Sequence, residues 1–257
     1  MKNYYFVAPS LPELVLGDEP DITFDELLHR IELNFDKGDL KQVEALRLLV
    51  DLHNIRALLS KQPLDPHGNL NEKQLDEALL AEDHLPEYVF TFLSQFEDDK
   101  EKVRLFSGLL ARYYAEEIPK QKGFVKQVLI FQRELRLVLA AFRAKKVGRD
   151  IAEELQFEDF TDPIVAHILA QKDMDQYDPP MEYQDLIQNL KAAGQDPWEQ
   201  YMVVARYQLE KIEELTSYPL FSLDWILGYV ARLMLVERLN DLNPEKGKEI
   251  VDHYKTG

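Results

Sequence analysis

The chain predicts an all-α protein made of hairpins of long helices, and three observations carry that prediction. Apolar residues recur at helical spacing almost from end to end, helix-start motifs precede several of these runs, and alternating β-patterned runs bounded by turn dipeptides are nearly absent. The one segment with strand character, Tyr4 to Ala8, meets Pro9 and Pro12, which limit it to an edge strand or an extended arm.

Taken in order, the first helix is announced by Thr23-Phe24-Asp25-Glu26, a capping box ahead of Leu27, Leu28, Ile31 and Leu33. Asp39-Leu40-Lys41-Gln42 resembles the same device and opens a second helix. The charge run Glu97-Asp98-Asp99-Lys100-Glu101-Lys102 places acids where a following helix, Val103 to Ile118, presents its positive dipole end. Asp196-Pro197-Trp198-Glu199 is the clearest start, with proline at the first helical position, and its helix is expected to run to about Ser217. Breaks are expected at Lys61 to Gly68, Pro119 to Gly123, Tyr177 to Pro180 and Tyr218-Pro219.

With 257 residues, folding buries roughly 70–75% of the unfolded surface, so a substantial core is expected in a soluble globular chain. Lys+Arg 30 against Asp+Glu 47 gives a net charge of −17, a field that repels phosphate backbones and anionic headgroups, and nucleic-acid binding is not expected. Without cysteine there are no disulfides, thiolate metal sites or cysteine nucleophiles. The longest apolar stretch, Trp225 to Val236, contains Arg232 and falls short of the ~18 residues of a membrane span, so no direct membrane insertion is expected. The start of the chain does not read as a secretion signal, and a cytoplasmic location is the expectation.

Catalytic signatures are missing. Neither glycine-rich phosphate loop occurs, and Gly247-Lys248-Glu249 lacks the hydroxyl and the upstream glycine. A single Glu-x-x-His turn, Glu26 to His29, stands where a carboxylate-bridged metal pair draws on two; His53, His84, His167 and His253 have no second histidine at ligand spacing. Phe106-Ser107-Gly108 lies in a helical pattern and not on a nucleophile turn. The chain is therefore expected to be non-catalytic, with no cofactor and no metal.

Asp51-Leu52-His53-Asn54-Ile55-Arg56-Ala57-Leu58-Leu59 is echoed by Glu134-Leu135-Arg136-Leu137-Val138-Leu139-Ala140-Ala141-Phe142, and more faintly by Arg232 to Leu239. The echo gives an expectation of a single all-helical protein, 1–257, in two to three similar lobes, with 15–95, 96–175 and 176–257 as the possible bounds. Polar groups interrupt these apolar helices: Asp51, Asn54 and Arg56 in the first copy, and Arg133, Glu134, Arg136 and Arg143 around the second. They read either as a solvated face with an internal ion pair or as the lining of a concave surface that grips a partner. In the Tyr4 to Leu14 arm, Tyr5, Phe6 and Leu11 are candidate partner anchors, unless the arm packs on its own core.

The segments Tyr4 to Leu14, Phe24 to Leu27, Asp51 to Arg56, Leu139 to Asp150, Phe221 to Tyr229 and Leu233 to Arg238 together resemble a bacterial family associated with V-type ATPase operons that otherwise lack a recognisable C subunit. Asn54-Ile55-Arg56 matches the Asn-Leu/Ile-Arg step of the C subunit of V/A-type ATPases, the d subunit of eukaryotes, and Arg143 to Gly148 is similar to its arginine-rich step before glycine. Leu137 stands where the second copy needs asparagine, and the chain is shorter than a typical C subunit. The resemblance implies a funnel of three helical lobes that links the central rotor shaft to the membrane rotor ring in a complex coupling proton or sodium transport to ATP. Its implied partners are central-stalk and rotor-ring subunits, and its implied place is peripheral, on the inner face of the membrane. An acidic subunit suits the basic cytoplasmic loops of such a ring. A free-standing helical adaptor is the competing expectation, and a carboxylate-using helical enzyme the third.

Overall fold

A computed structural model describes residues 4, 6–174, 176–216 and 221–242. These residues form twelve α-helices and three short 3-10 turns, with no strand among them. The all-α expectation holds. The chain divides into two compact units, residues 1–47 with 195–257, and residues 48–194. They do not follow three consecutive lobes, because the first unit is assembled from both ends of the chain. The first two echoed segments fall in one unit and the third in the other.

The unit built from the chain ends contains α1 (Phe24–Asn34), the first part of α2 (Lys37–Leu59), and two long helices from beyond residue 195. The capping box at Thr23 is present in both directions, with Glu26 N donating to Thr23 Oγ1 and Thr23 N to Glu26 Oε2. Asp39 does not cap α2. Asp36 does, accepting from the amides of Gly38 at 2.8 Å and Asp39 at 3.0 Å, while the Asp39 side chain is buried and accepts the Tyr4 hydroxyl at 2.9 Å.

The second unit continues α2 and adds α3 (Glu72–Ala81), α4 (Glu87–Leu93), α5 (Asp99–Arg104), α6 (Phe106–Glu117), α7 (Gly123–Val147), α8 (Ile151–Glu154), α9 (Pro163–Leu169) and α10 (Gln184–Ala192). The acidic run starts α5 through Asp98, whose carboxylate accepts from Lys100 N. The single helix expected from Val103 is two, because the backbone leaves the helical region at Leu105, with φ −97 and ψ 13. The 25-residue α7 is the spine of the unit: α6, α8 and α9 all pack on it, and Gly148 at φ 70 ends it in the left-handed conformation that glycine adopts without strain.

Back in the first unit, α11 (Pro197–Leu215) starts as expected, with Asp196 accepting from Trp198 N and Glu199 N, and it packs on α12 (Leu223–Asp241) around Ala205, Leu235 and Leu239. The expected break at Tyr218-Pro219, the fragment Gly247 to Glu249 and His253 lie outside the described residues. Gly228 on α12 lies against Thr216: a methyl group added there would collide with Thr216 Cγ2 and sit 2.9 Å from its Cβ. A β-branched side chain has little rotamer freedom with which to retreat. Gly228→Ala is therefore expected to lower the unfolding free energy by about 2 kcal/mol, as overpacking does. The double variant Gly228→Ala/Thr216→Ala should recover part of that loss in thermal melts, and no recovery would show that this contact is not the cause.

α12 also ties down the start of the chain. Glu237 accepts from Phe24 N at 2.7 Å, one of the first-turn amides that a helix cannot pair internally. The Tyr229 hydroxyl donates to Pro12 O at 2.9 Å, and Asn240 Nδ2 to Asp18 O at 2.8 Å. With Val7 and Ala8 buried and Arg30 Nη1 donating to Ser10 O, the arm packs on its own unit. Its described residues form no strand: Ala8–Ser10 is a 3-10 turn with proline in its first positions.

Candidate functional site: two internal polar clusters and an exposed aromatic turn

Asp51 and Asn54 lie one helical turn apart on α2 and point inward, at 1% and 2% exposure. Their role is to hold the loop that leaves the helix. Asp51 Oδ2 accepts from Asn69 Nδ2 at 2.7 Å and Oδ1 from Leu70 N at 3.1 Å. Asn54 forms a reciprocal pair with Asp65, donating to its carbonyl at 2.9 Å and accepting from its amide at 2.8 Å. The loop crosses this pair at Gly68, where a Cβ would come within 2.6 Å of Asp51 Oδ1 and 2.9 Å of Asn54 Nδ2. His67, 1% exposed, places Nδ1 2.5 Å from Asp65 Oδ1. Arg56 faces the other way: it is exposed, with its guanidinium 5.6 Å from the centre of the Phe106 ring.

The second cluster is built on α7. Arg133 donates to Asp162 Oδ2 at 3.0 Å and Glu158 Oε2 at 3.1 Å, Arg136 donates to the other Glu158 oxygen, and the Arg136 guanidinium lies 5.6 Å from the centre of the Tyr114 ring. The Glu158 side chain is only 4% exposed, so the pair of guanidiniums provides its polar environment. Glu134, half-buried, accepts the Tyr183 hydroxyl at 3.0 Å. Burial raises the Glu134 pKa above the ordinary glutamate value, and the Tyr183 hydrogen bond opposes that rise. A raised carboxyl pKa means the folded state holds the proton more tightly, so this group favours folding at acidic pH and loses that contribution as pH rises through the folded value. An NMR titration of the Glu134 carboxyl carbon should give a midpoint above that of a free glutamate, and Tyr183→Phe should raise it further. A fall in that variant would contradict the assignment.

The site residues expected from the sequence are thus not brought together on one surface. Asp51 and Asn54 are interior, which corrects their placement on a partner-facing lining: the loop at 65–70 covers them. Glu134 is committed to Tyr183, while Arg143 on α7 is exposed and has no ion pair among the described residues. In the arm, Leu11 is partly buried, Phe6 is 86% exposed and Tyr5 lies outside the described residues. Among the remaining histidines, His53 lies against the Phe106 ring, His84 beside Asp83, and His167 within a hydrogen-bonded set with Gln171 and Asp178 O. No three His, Asp or Glu side chains converge at metal-binding distance among the described residues. No helix among them is long and apolar enough to cross a membrane.

One surface feature was not expected. The turn between α8 and α9 displays Phe157 and Phe160, at 40% and 54% exposure, on either side of the interior Glu158. The sequence signal was present in Gln156-Phe157-Glu158-Asp159-Phe160, two aromatics inside an acidic run, followed by an Asp162-Pro163 helix start.

The chain is similar along nearly its whole length to uncharacterized proteins of three chlamydiae. It is 27% identical over 263 residues to one from Chlamydia muridarum, covering 100% of this chain and 99% of the relative. The corresponding match in Chlamydia pneumoniae is 27% identical over 261 residues, covering 99% and 98%, and that in Chlamydia trachomatis is 26% identical over 258 residues, covering 98% and 96%. No solved structure matches the chain. Neither these relatives nor the matching family model carries the name of an ATPase component, which corrects the resemblance to the V/A-type C subunit. The model that matches residues 1–257 is described as a protein of unknown function, DUF2764, and it is to this family that the chain belongs.

Proposed function

We propose that the protein is a non-catalytic helical adaptor that works by docking on a protein partner. The observation that supports this is how its polar and apolar groups are distributed. Asp51, Asn54, Glu134, and Glu158 with its two arginines are taken up in internal bonds, whereas large apolar side chains, including Phe160 on the α8–α9 turn and Phe6 on the arm, stand out from braced backbone. Exposed aromatics on a rigid frame are what interfaces use as anchors, since little ordering entropy opposes their contact. The strong negative charge discourages nucleic-acid and anionic-lipid surfaces and favours a basic protein face.

Affinity purification of the full chain from its native host under gentle solubilisation tests this reading. The expected result is a stoichiometric protein partner that survives size-exclusion chromatography; a chain that elutes alone at cellular concentration would overturn it. Partner identity also specifies the role. Recovery of central-stalk and rotor-ring subunits of a V-type ATPase would make the adaptor a shaft-to-ring connector with lobes around an axis, whereas recovery of an unrelated partner would make it a free-standing scaffold.

A further inference from the structure

Resting on the adaptor reading, we infer that the turn carrying Phe157 and Phe160 is a docking surface for an apolar pocket rimmed by lysine or arginine on a protein partner. Each part of the turn is fixed from within. Glu158 is drawn to Arg133 and Arg136, and Asp162 accepts from Arg133 while capping α9 through the amides of Ile164 and Val165. Asp159 accepts from Thr161 N at 2.8 Å and Thr161 Oγ1 at 2.7 Å. Glu158 N donates to Leu155 O and Asp162 N to Asp159 O, so successive turns close on each other. The flanking helices α8 and α9 both pack on α7.

Phe157 is seated by Gly108 of α6: a Cβ at that glycine would lie 3.3 Å from the ring carbons Cδ1 and Cγ, so the bare backbone forms a flat bed under the ring. Phe160 is more than half exposed. A buried ionic clamp that leaves two phenyl rings facing outward contributes nothing to covering them. It lowers the ordering cost of placing them into a partner.

Charge selects the partner. Between Asp150 and Asp162 there are six acids and no base. Glu158 and Asp162 are neutralised by the two arginines, and Glu154 pairs with Arg149 at 3.3 Å, which leaves Asp150, Glu153 and Asp159 as exposed carboxylates in the stretch that carries the rings. A phosphate backbone or an anionic bilayer would be repelled by this rim, and a pocket edged with Lys or Arg would be attracted to it.

The test is photo-crosslinking in the native host, with p-benzoylphenylalanine in place of Phe160 in the full chain and, as a control, in place of Leu80, which is 87% exposed in the same unit. The expected result is a crosslink at position 160 whose peptide, identified by mass spectrometry, is apolar with flanking Lys or Arg, together with a loss of partner recovery of about tenfold or more in Phe160→Ser, the scale of an interface anchor. Glu153→Lys should weaken recovery in a salt-dependent manner, and circular dichroism of each variant shows that the fold is retained. Crosslinks to lipid, to an acidic peptide, or no more at 160 than at 80 would overturn the inference. If the partner still co-purifies with Phe160→Ser at wild-type yield, the turn is not the docking surface although the adaptor reading stands; if no partner is recovered with the wild-type chain, both fail.

Discussion

Asp51→Ala is expected to lower the unfolding free energy by about 3 kcal/mol, because it strands two buried donors at once. Asn69 Nδ2 and Leu70 N both donate to the Asp51 carboxylate, which is 1% exposed, and water cannot replace it without opening the loop. Asp51→Asn is expected to cost nearly as much despite its equal size, since an amide group offers one acceptor oxygen where the loop presents two donors. Hydrogen exchange of the Leu70 amide should accelerate in both variants, placing the damage in the loop and not in α2. Arg56→Ala, five residues further along α2, removes only an exposed cation–π contact with Phe106 and is expected to cost less than about 1 kcal/mol. Equal losses for Asp51→Ala and Arg56→Ala in urea denaturation would refute the division between interior and surface roles.

That division marks the limit of what the sequence made legible. Helix starts read correctly where the signal is local: Thr23 with Glu26 and Asp196 with Pro197 contain their donors and acceptors within four residues. Asp39 misled because an aspartate three residues earlier, Asp36, makes the same kind of cap, and the two are equivalent by pattern alone. The division of α5 from α6 at Leu105 has no glycine or proline to announce it. Asp51 and Asn54 were visible as polar residues on an apolar stripe, but their burial depends on a loop that begins beyond the helix and returns over it. The unit made from both chain ends was out of reach for a similar reason: its ties, such as Phe24 N to Glu237 and Asn240 to Asp18, join residues more than two hundred positions apart.

Glu158→Ala is expected to be costly in the second unit, lowering the unfolding free energy by about 3 kcal/mol, because removing one member of a buried ionic cluster leaves its partners uncompensated. Arg133 would keep Asp162, but Arg136 would keep only the face of Tyr114, and its Nε already lacks a hydrogen-bond partner. The size of the effect depends on whether one partner or both are removed. Arg136→Leu/Glu158→Leu, which deletes both charges, should be less destabilising than Glu158→Ala alone, since replacing ions by apolar groups of similar volume removes the desolvation cost together with the attraction. A second consequence separates clamp from core: Glu158 fixes the turn that carries Phe157 and Phe160, so Glu158→Ala should speed exchange at the Asp162 amide, which donates to Asp159 O, while amides in the middle of α7 stay protected below the global unfolding limit. If instead the double-leucine variant is less stable than the wild type by as much as Glu158→Ala, the ion cluster is a net source of stability and its purpose is structural; if it matches or exceeds the wild type, the charges are retained at a cost, as expected of a device that holds two aromatic side chains in a fixed outward position.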